Sequence, residues 1–144
     1  MVTRDSSEAE IHNEMIRLMI SYFMKQGYRN LRADLANETP PEHIGDFTPD
    51  LTCNKNDDQG TCIILEAETC STILQKHTER QWRTFFNEAK ERKCEFHLVV
   101  PKLCESDSGG NIANQRLTEL HIKADAVWKA NHSLGKSSRR DTTS

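Results

Sequence analysis

The short run from Phe96 to Pro101 limits most strongly the folds that this chain can adopt. It is continuous and apolar, whereas a strand with one solvated face would alternate between apolar and polar residues. Such a run suits a central strand of a sheet that is covered on both faces. Helical patterns precede and follow it, so the sequence predicts an α/β fold whose central sheet is flanked by helices.

Three segments have the three- and four-residue apolar spacing of amphipathic helices. They are Ser7 to Gly27, capped by Ser6 or Ser7; a segment capped by Ser71 that runs to about Arg92; and Ile112 to about Ile122.

Strands are predicted at Tyr28 to Ala36, Ile44 to Cys53 and Thr61 to Thr69. Residues 54–60 are polar turn formers, so the second and third strands form a hairpin. The alternation in Lys123 to Ala130 favours a last strand, although a continued helix would also bury Trp128. The predicted order is α-β-β-β-α-β-α-(β), around a mixed sheet of four or five strands.

The length of 144 residues predicts one domain over residues 1–132, and the polar segment 133–144 is predicted to be a disordered tail. Five cysteines without a C-x-x-C pair argue against a disulfide framework and a zinc ribbon, and favour buried thiols in a reducing compartment. No segment has the apolar length to span a bilayer and the first residues are polar, so we expect a cytoplasmic protein.

The formal net charge of −3 means that any nucleic-acid contact must come from a local basic patch. None of the six histidines forms an H-x-x-x-H pair, which argues against a catalytic zinc site. The chain also has no Walker loop and no G-x-S-x-G elbow, which argues against nucleotide hydrolysis and serine-hydrolase chemistry.

Three carboxylates lie at predicted strand ends: Asp50, which follows Pro49, and the pair Glu66 and Glu68. Side chains alternate along a strand, so both glutamates share a face with Ile64. Asp50 can also be a turn former, and two acids on one strand often form a solvated edge. An apolar start to the same face instead indicates partial burial, where like charges need a compensating cation.

The element order, the Pro-Asp and the Glu-x-Glu together resemble the PD-(D/E)XK nuclease superfamily, which includes restriction endonucleases and Holliday-junction resolvases. The resemblance covers roughly Glu8 to Lys102 and implies a restriction endonuclease-like core. It also implies Mg²⁺- or Mn²⁺-dependent hydrolysis of DNA phosphodiesters.

By this resemblance, Asp50 and Glu66 hold the metal, and the backbone oxygen of Ala67 adds a ligand. A first-helix acid of the resolvases matches Glu14, although that residue can equally rim the buried helix face in water. The usual third motif residue is lysine, but here it is Glu68, which resembles a general base or an extra metal ligand. Lys76 on the next helix is the candidate for the displaced lysine.

The predicted second helix also carries basic residues on one side, which are the candidate phosphate contacts: Lys76, Arg80, Arg83 and Lys90. An ordinary solvated helix face explains them equally well. The favoured function is a DNA endonuclease, working as a homodimer if it cuts both strands. The alternative is a catalytically inactive nuclease-like domain that binds nucleic acid or protein.

Overall fold

The structure is a computed structural model, and it describes residues 6–131 and 139–141. Its helices are α1 (Ser6–Lys25), α2 (Lys76–Arg92) and α3 (Gly109–Leu120). Its strands are β1 (Arg29–Ala33), β2 (Leu51–Asn54), β3 (Cys62–Ala67), β4 (Glu95–Pro101), β5 (Leu103–Cys104), β6 (Asp107–Ser108), β7 (Ala126–Asn131) and β8 (Arg139–Asp141).

The main sheet is mixed, with the strand order β1-β2-β3-β4-β7-β8. The first three strands are antiparallel neighbours, β4 and β7 continue parallel to β3, and β8 closes the sheet in the antiparallel direction. Strands β5 and β6 form a separate hairpin. The predicted α/β class and mixed sheet are confirmed, and β7 resolves the ambiguous segment in favour of a strand.

Two apolar clusters cover opposite faces of the sheet. Helices α2 and α3 pack on one face, where Ile64, Phe96 and Leu98 are buried. Helix α1 packs on the other face, where Ile63 and Val99 are buried. Strand β4 therefore buries side chains on both faces, as its continuous apolar run predicts.

The second predicted strand, Ile44 to Cys53, begins too early, because the strand of the structure is Leu51–Asn54. Ile44 instead forms an isolated bridge with Phe47 around a tight turn, where Gly45 has a positive φ of 61°. Pro49 lacks the backbone N–H that a ladder needs, so strand pairing begins only after it.

The prediction that Ser71 caps the second helix is wrong, because α2 begins at Lys76 with Gln75 as its N-cap. The preceding residues form two successive turns, in which Thr72 N donates to Thr69 O and Gln75 N donates to Thr72 O. These turns hold the chain between β3 and α2 in a fixed, non-helical path.

The predicted loop from Ser106 to Asn111 contains β6 and the first turn of α3. Ser108 caps this helix by accepting a hydrogen bond from Asn111 N. Strand β8 (Arg139–Asp141) lies in the segment that the sequence predicts to be disordered. The rest of the predicted tail lies outside the described residues.

The prediction that the cysteines are free thiols is wrong for four of the five. Disulfides join Cys62 to Cys94 and Cys70 to Cys104, with Cα–Cα distances of 4.7 and 5.6 Å. Only Cys53 is a free, buried thiol. Sequence spacing missed these bonds because the fold brings together sulfur atoms that are 32 and 34 residues apart in the chain. Disulfides are typical of oxidising compartments, so they weigh against the predicted cytoplasmic location.

Within the described part of the chain, no helix combines the length and hydrophobicity needed to cross a membrane.

Candidate functional site

The three predicted acids lie together where β2 begins and β3 ends. The pairing of Leu51 with Leu65 places Asp50 beside Glu66, and Glu68 follows directly after β3. All three are buried, with exposed fractions of 8% for Asp50, 2% for Glu66 and 1% for Glu68. Buried carboxylates require hydrogen bonds, protons or counter-charges, so each partner bears on what this site can do.

Asp50 and Glu66 are linked through the backbone. Asp50 N donates to Glu66 Oε1 at 2.9 Å, and Ala67 N donates to Asp50 Oδ2 at 2.8 Å. Each carboxylate is therefore oriented by an N–H group of the other strand. This reciprocal arrangement fixes the two side chains next to each other.

The electrostatics of this pair oppose the ionisation of Glu66. Burial raises the pKa of the Glu66 carboxyl well above its ordinary value, and the neighbouring charges of Asp50 and Glu68 raise it further. A proton compensates for part of this repulsion, and a bound cation compensates in the same way. Because a cation displaces that proton, metal binding at this pair would be coupled to pH.

Glu68 is held by α2 and by the turn before it. Thr72 Oγ1 donates to Glu68 Oε1 at 2.6 Å, and Trp82 Nε1 donates to Glu68 Oε2 at 3.0 Å. Both oxygens accept, as an ionised carboxylate does. The Glu68 carboxylate is therefore anchored against a buried tryptophan.

Helix α1 brings two further side chains to this end of the sheet. His12 Nε2 lies 3.2 Å from Asp50 Oδ2. Glu8, one turn earlier, accepts hydrogen bonds from Thr69 Oγ1 at 3.1 Å and from Ser71 Oγ. Glu14 lies roughly 200° around the helix from His12, so α1 presents Glu8 and His12 to the site and turns Glu14 to its other side.

The predicted basic residues lie on the outer side of α2. The side chains of Lys76, Arg80, Arg83 and Lys90 are all exposed. Arg83 lies 3.8 Å from Glu79, and the Lys90 ammonium lies over the Phe86 ring. Within the described residues, Lys76 makes no ion pair with the three site carboxylates. The structure thus brings Asp50, Glu66 and Glu68 together and leaves Lys76 at the start of α2.

The carboxylate oxygens of Asp50 and Glu66 are ligands that suit a hard divalent cation. Among residues 6–131, no group of three or more His, Cys, Asp or Glu side chains is arranged to hold a metal ion. Mg²⁺ does not require such a cage, since it is commonly held by one or two carboxylates and completed by water and substrate phosphate. Two adjacent carboxylates that repel each other fit that mode of binding.

Sequence reasoning missed four residues around the acids: Glu8, His12, Thr72 and Trp82. The spacing of Glu8 and His12 by four positions was the available signal, because residues so spaced share a helix face. Nothing in the local sequence marked Thr72 or Trp82 as partners of Glu68. Their contacts depend on the turns that precede α2.

Comparison of the chain with protein-family models, with curated proteins and with solved structures gave no match.

Proposed function

We propose that this protein is a Mg²⁺- or Mn²⁺-dependent DNA endonuclease of the PD-(D/E)XK type with a restriction endonuclease-like core. The observation that carries the proposal is the buried pair of Asp50 and Glu66 on adjoining strands, with ionisation of Glu66 disfavoured by burial and by its acidic neighbours. Two carboxylates that served only to stabilise the fold would not be buried side by side, because their desolvation and mutual repulsion cost free energy. The sheet order, with an antiparallel hairpin followed by parallel strands, is consistent with the same fold.

In this proposal, Asp50 and Glu66 hold the cation, and the Ala67 carbonyl is available as a further ligand. Asp50 is oriented for this by Ala67 N, and Glu66 by Asp50 N. The cation, when bound, supplies an activated water and neutralises charge on the phosphate. Trp82 and Thr72 hold the Glu68 carboxylate in place. Its role is therefore to act electrostatically on the neighbouring pair of Asp50 and Glu66.

The test is cleavage of supercoiled plasmid, linear duplex and single-stranded DNA in Mg²⁺ and Mn²⁺. We expect the wild-type protein to cut at least one of them, and Asp50→Asn and Glu66→Gln to lower the rate by about 10²-fold or more. Thermal melting with and without Mn²⁺ gives a second readout. Mn²⁺ should raise the melting temperature of wild type only, because both variants lose a ligand.

A second candidate is a nuclease-like domain that binds nucleic acid or protein without cutting. The observation that favours it is Glu68, which replaces the motif lysine and is engaged by Trp82. This candidate predicts no cleavage of any of the three DNA substrates with either metal. Cleavage by wild type that disappears in Asp50→Asn would reject it.

We also propose that the basic residues on the outer side of α2 contact DNA phosphates. Replacing both Lys76 and Arg80 with alanine should weaken DNA binding at low salt irrespective of base sequence. If the slope of log Kd against log salt concentration were unchanged in this variant, the outer side of α2 would be excluded as a phosphate contact.

A further inference from the structure

A polar cleft of about 380 Å³ lies on the sheet, where residues of β1, β2, β3 and the end of α2 line it. Its floor is a row across three strands, in which Arg32 of β1 pairs with Thr52 of β2 and Thr52 pairs with Ile64 of β3. Ile64 belongs to the cluster under α2 and α3, so this row lies on the α2 side of the sheet.

The cleft and the acidic pair share the strands β2 and β3. Thr52 is two residues after Asp50, and Ile64 is two residues before Glu66. Two residues of a strand advance about 7 Å and return to the same face. The cleft and the two carboxylates therefore lie along the same two strands and on the same face of the sheet.

Two arginines from different elements line the cleft. Arg32 projects from β1, is exposed and forms no ion pair with any described residue. Arg92 is the last residue of α2, and its pairing with Glu88 at 3.7 Å is solvent-exposed and therefore weak. His43 adds a titratable group, and Glu42 is the one acid among the lining residues.

The positions of these arginines are fixed by the fold. The disulfide between Cys62 and Cys94 joins the start of β3 to the segment just after Arg92. At the same end, Asn30 Nδ2 donates to Asn54 Oδ1 at 3.1 Å, which links β1 to β2 across the lip of the cleft. Two guanidinium groups thus border a polar cleft over the strands whose other ends carry the carboxylate pair.

We propose that this cleft binds the sugar–phosphate backbone of DNA, with Arg32 and Arg92 as its phosphate contacts. Guanidinium groups suit phosphate because they donate in a planar fork. The hydroxyl of Thr52 and the amide of Asn54 are further polar partners for the backbone. The inference rests on the proposed function, since it names the surface that would hold DNA on the strands of Asp50 and Glu66.

The test is fluorescence polarisation with a fluorescein-labelled DNA duplex of 20 base pairs and with one of its strands, both in EDTA. We expect the double variant Arg32→Ala with Arg92→Ala to weaken binding by tenfold or more at low salt. The slope of log Kd against log salt should fall by about one to two, as expected for the loss of two phosphate contacts. Arg32→Lys with Arg92→Lys should retain most of the binding.

The matched control is Arg17→Ala with Lys25→Ala, which removes two exposed cations from α1 on the other face of the sheet. If the control variant weakened DNA binding as much as the cleft variant, the cleft would be overturned as the phosphate contact. The proposal would also be overturned if the cleft variant bound DNA as tightly as wild type, or if wild type did not bind DNA. The Mn²⁺ melting shift should persist in the cleft variant. That shift tests the metal centre separately, so failure of the cleft is distinguishable from failure of the proposed function.

Discussion

Glu66 is the residue whose environment differs most from that of a glutamate in water. Its pKa is raised by burial and by the charges of Asp50 and Glu68. The folded chain therefore binds this proton more tightly than the unfolded chain, where glutamate titrates near about 4.3. The resulting stability is present below that value and is lost as the pH rises through the raised folded pKa.

We therefore expect the unfolding free energy of the metal-free protein to fall as the pH rises above the ordinary titration range of glutamate, and Glu66→Gln to reduce this dependence. Urea denaturation in EDTA across the pH range measures it. Glu91→Gln changes an exposed glutamate on α2 and should keep the wild-type dependence. An identical pH slope in Glu66→Gln would contradict the prediction.

Trp82 is the second residue whose replacement should change the unfolding free energy, because its indole N–H donates to the buried Glu68 carboxylate. Trp82→Phe should lower the unfolding free energy by about 1.5–3 kcal/mol, the usual range for a hydrogen bond to a charged group. Trp128→Phe is the matched control, since that indole donates to the His97 ring at 2.9 Å. A loss in Trp82→Phe no larger than in Trp128→Phe would show that the Glu68 contact contributes little.

Helix α3 begins at Gly109, a position at which no side chain fits. A Cβ atom on Gly109 would lie 2.0 Å from the Pro101 carbonyl oxygen, which belongs to the backbone at the end of β4. The neighbouring Gly110 would contact only the flexible side chain of Lys129. The close approach of α3 to β4 therefore depends on glycine at one of two adjacent positions.

Gly109→Ala should destabilise the fold by about 2 kcal/mol or more, because helix and strand must separate. Gly110→Ala should be neutral or stabilising by up to about 1 kcal/mol, the difference in helix propensity. Thermal and urea unfolding of both variants compare the two positions directly. Equal stabilities would mean that α3 can shift away from β4 without cost.

At the scale of the whole molecule, the disulfides tie distant parts of the chain together. The partners are separated by 32 residues in one bond and by 34 in the other. Loops of this length give about 3–4 kcal/mol of stabilisation each in the chain-entropy account. One bond fixes the end of α2 near the cleft, and the other joins the turn after Glu68 to the hairpin of β5 and β6.

A thiol titration should thus find one reactive cysteine per chain in denaturant. That thiol is Cys53, whose pKa burial raises to about 12, so it should not react in the folded protein. Reduction should lower the melting temperature, and Cys62→Ala with Cys94→Ala should reproduce part of that loss. Five thiols in the unreduced, denatured protein would contradict the pairing.

The α/β class, the central position of β4 and the shared location of Asp50, Glu66 and Glu68 could all be predicted from the amino-acid sequence. These features follow from local periodicity, because a strand alternates its side chains and a doubly covered strand is apolar throughout. Three features became visible only in the folded chain: Cys62 is bonded to Cys94, Trp82 and Thr72 hold Glu68, and α1 turns His12 toward Asp50. Those contacts join residues far apart in the chain, and their geometry depends on turns and strand register that no local pattern specifies.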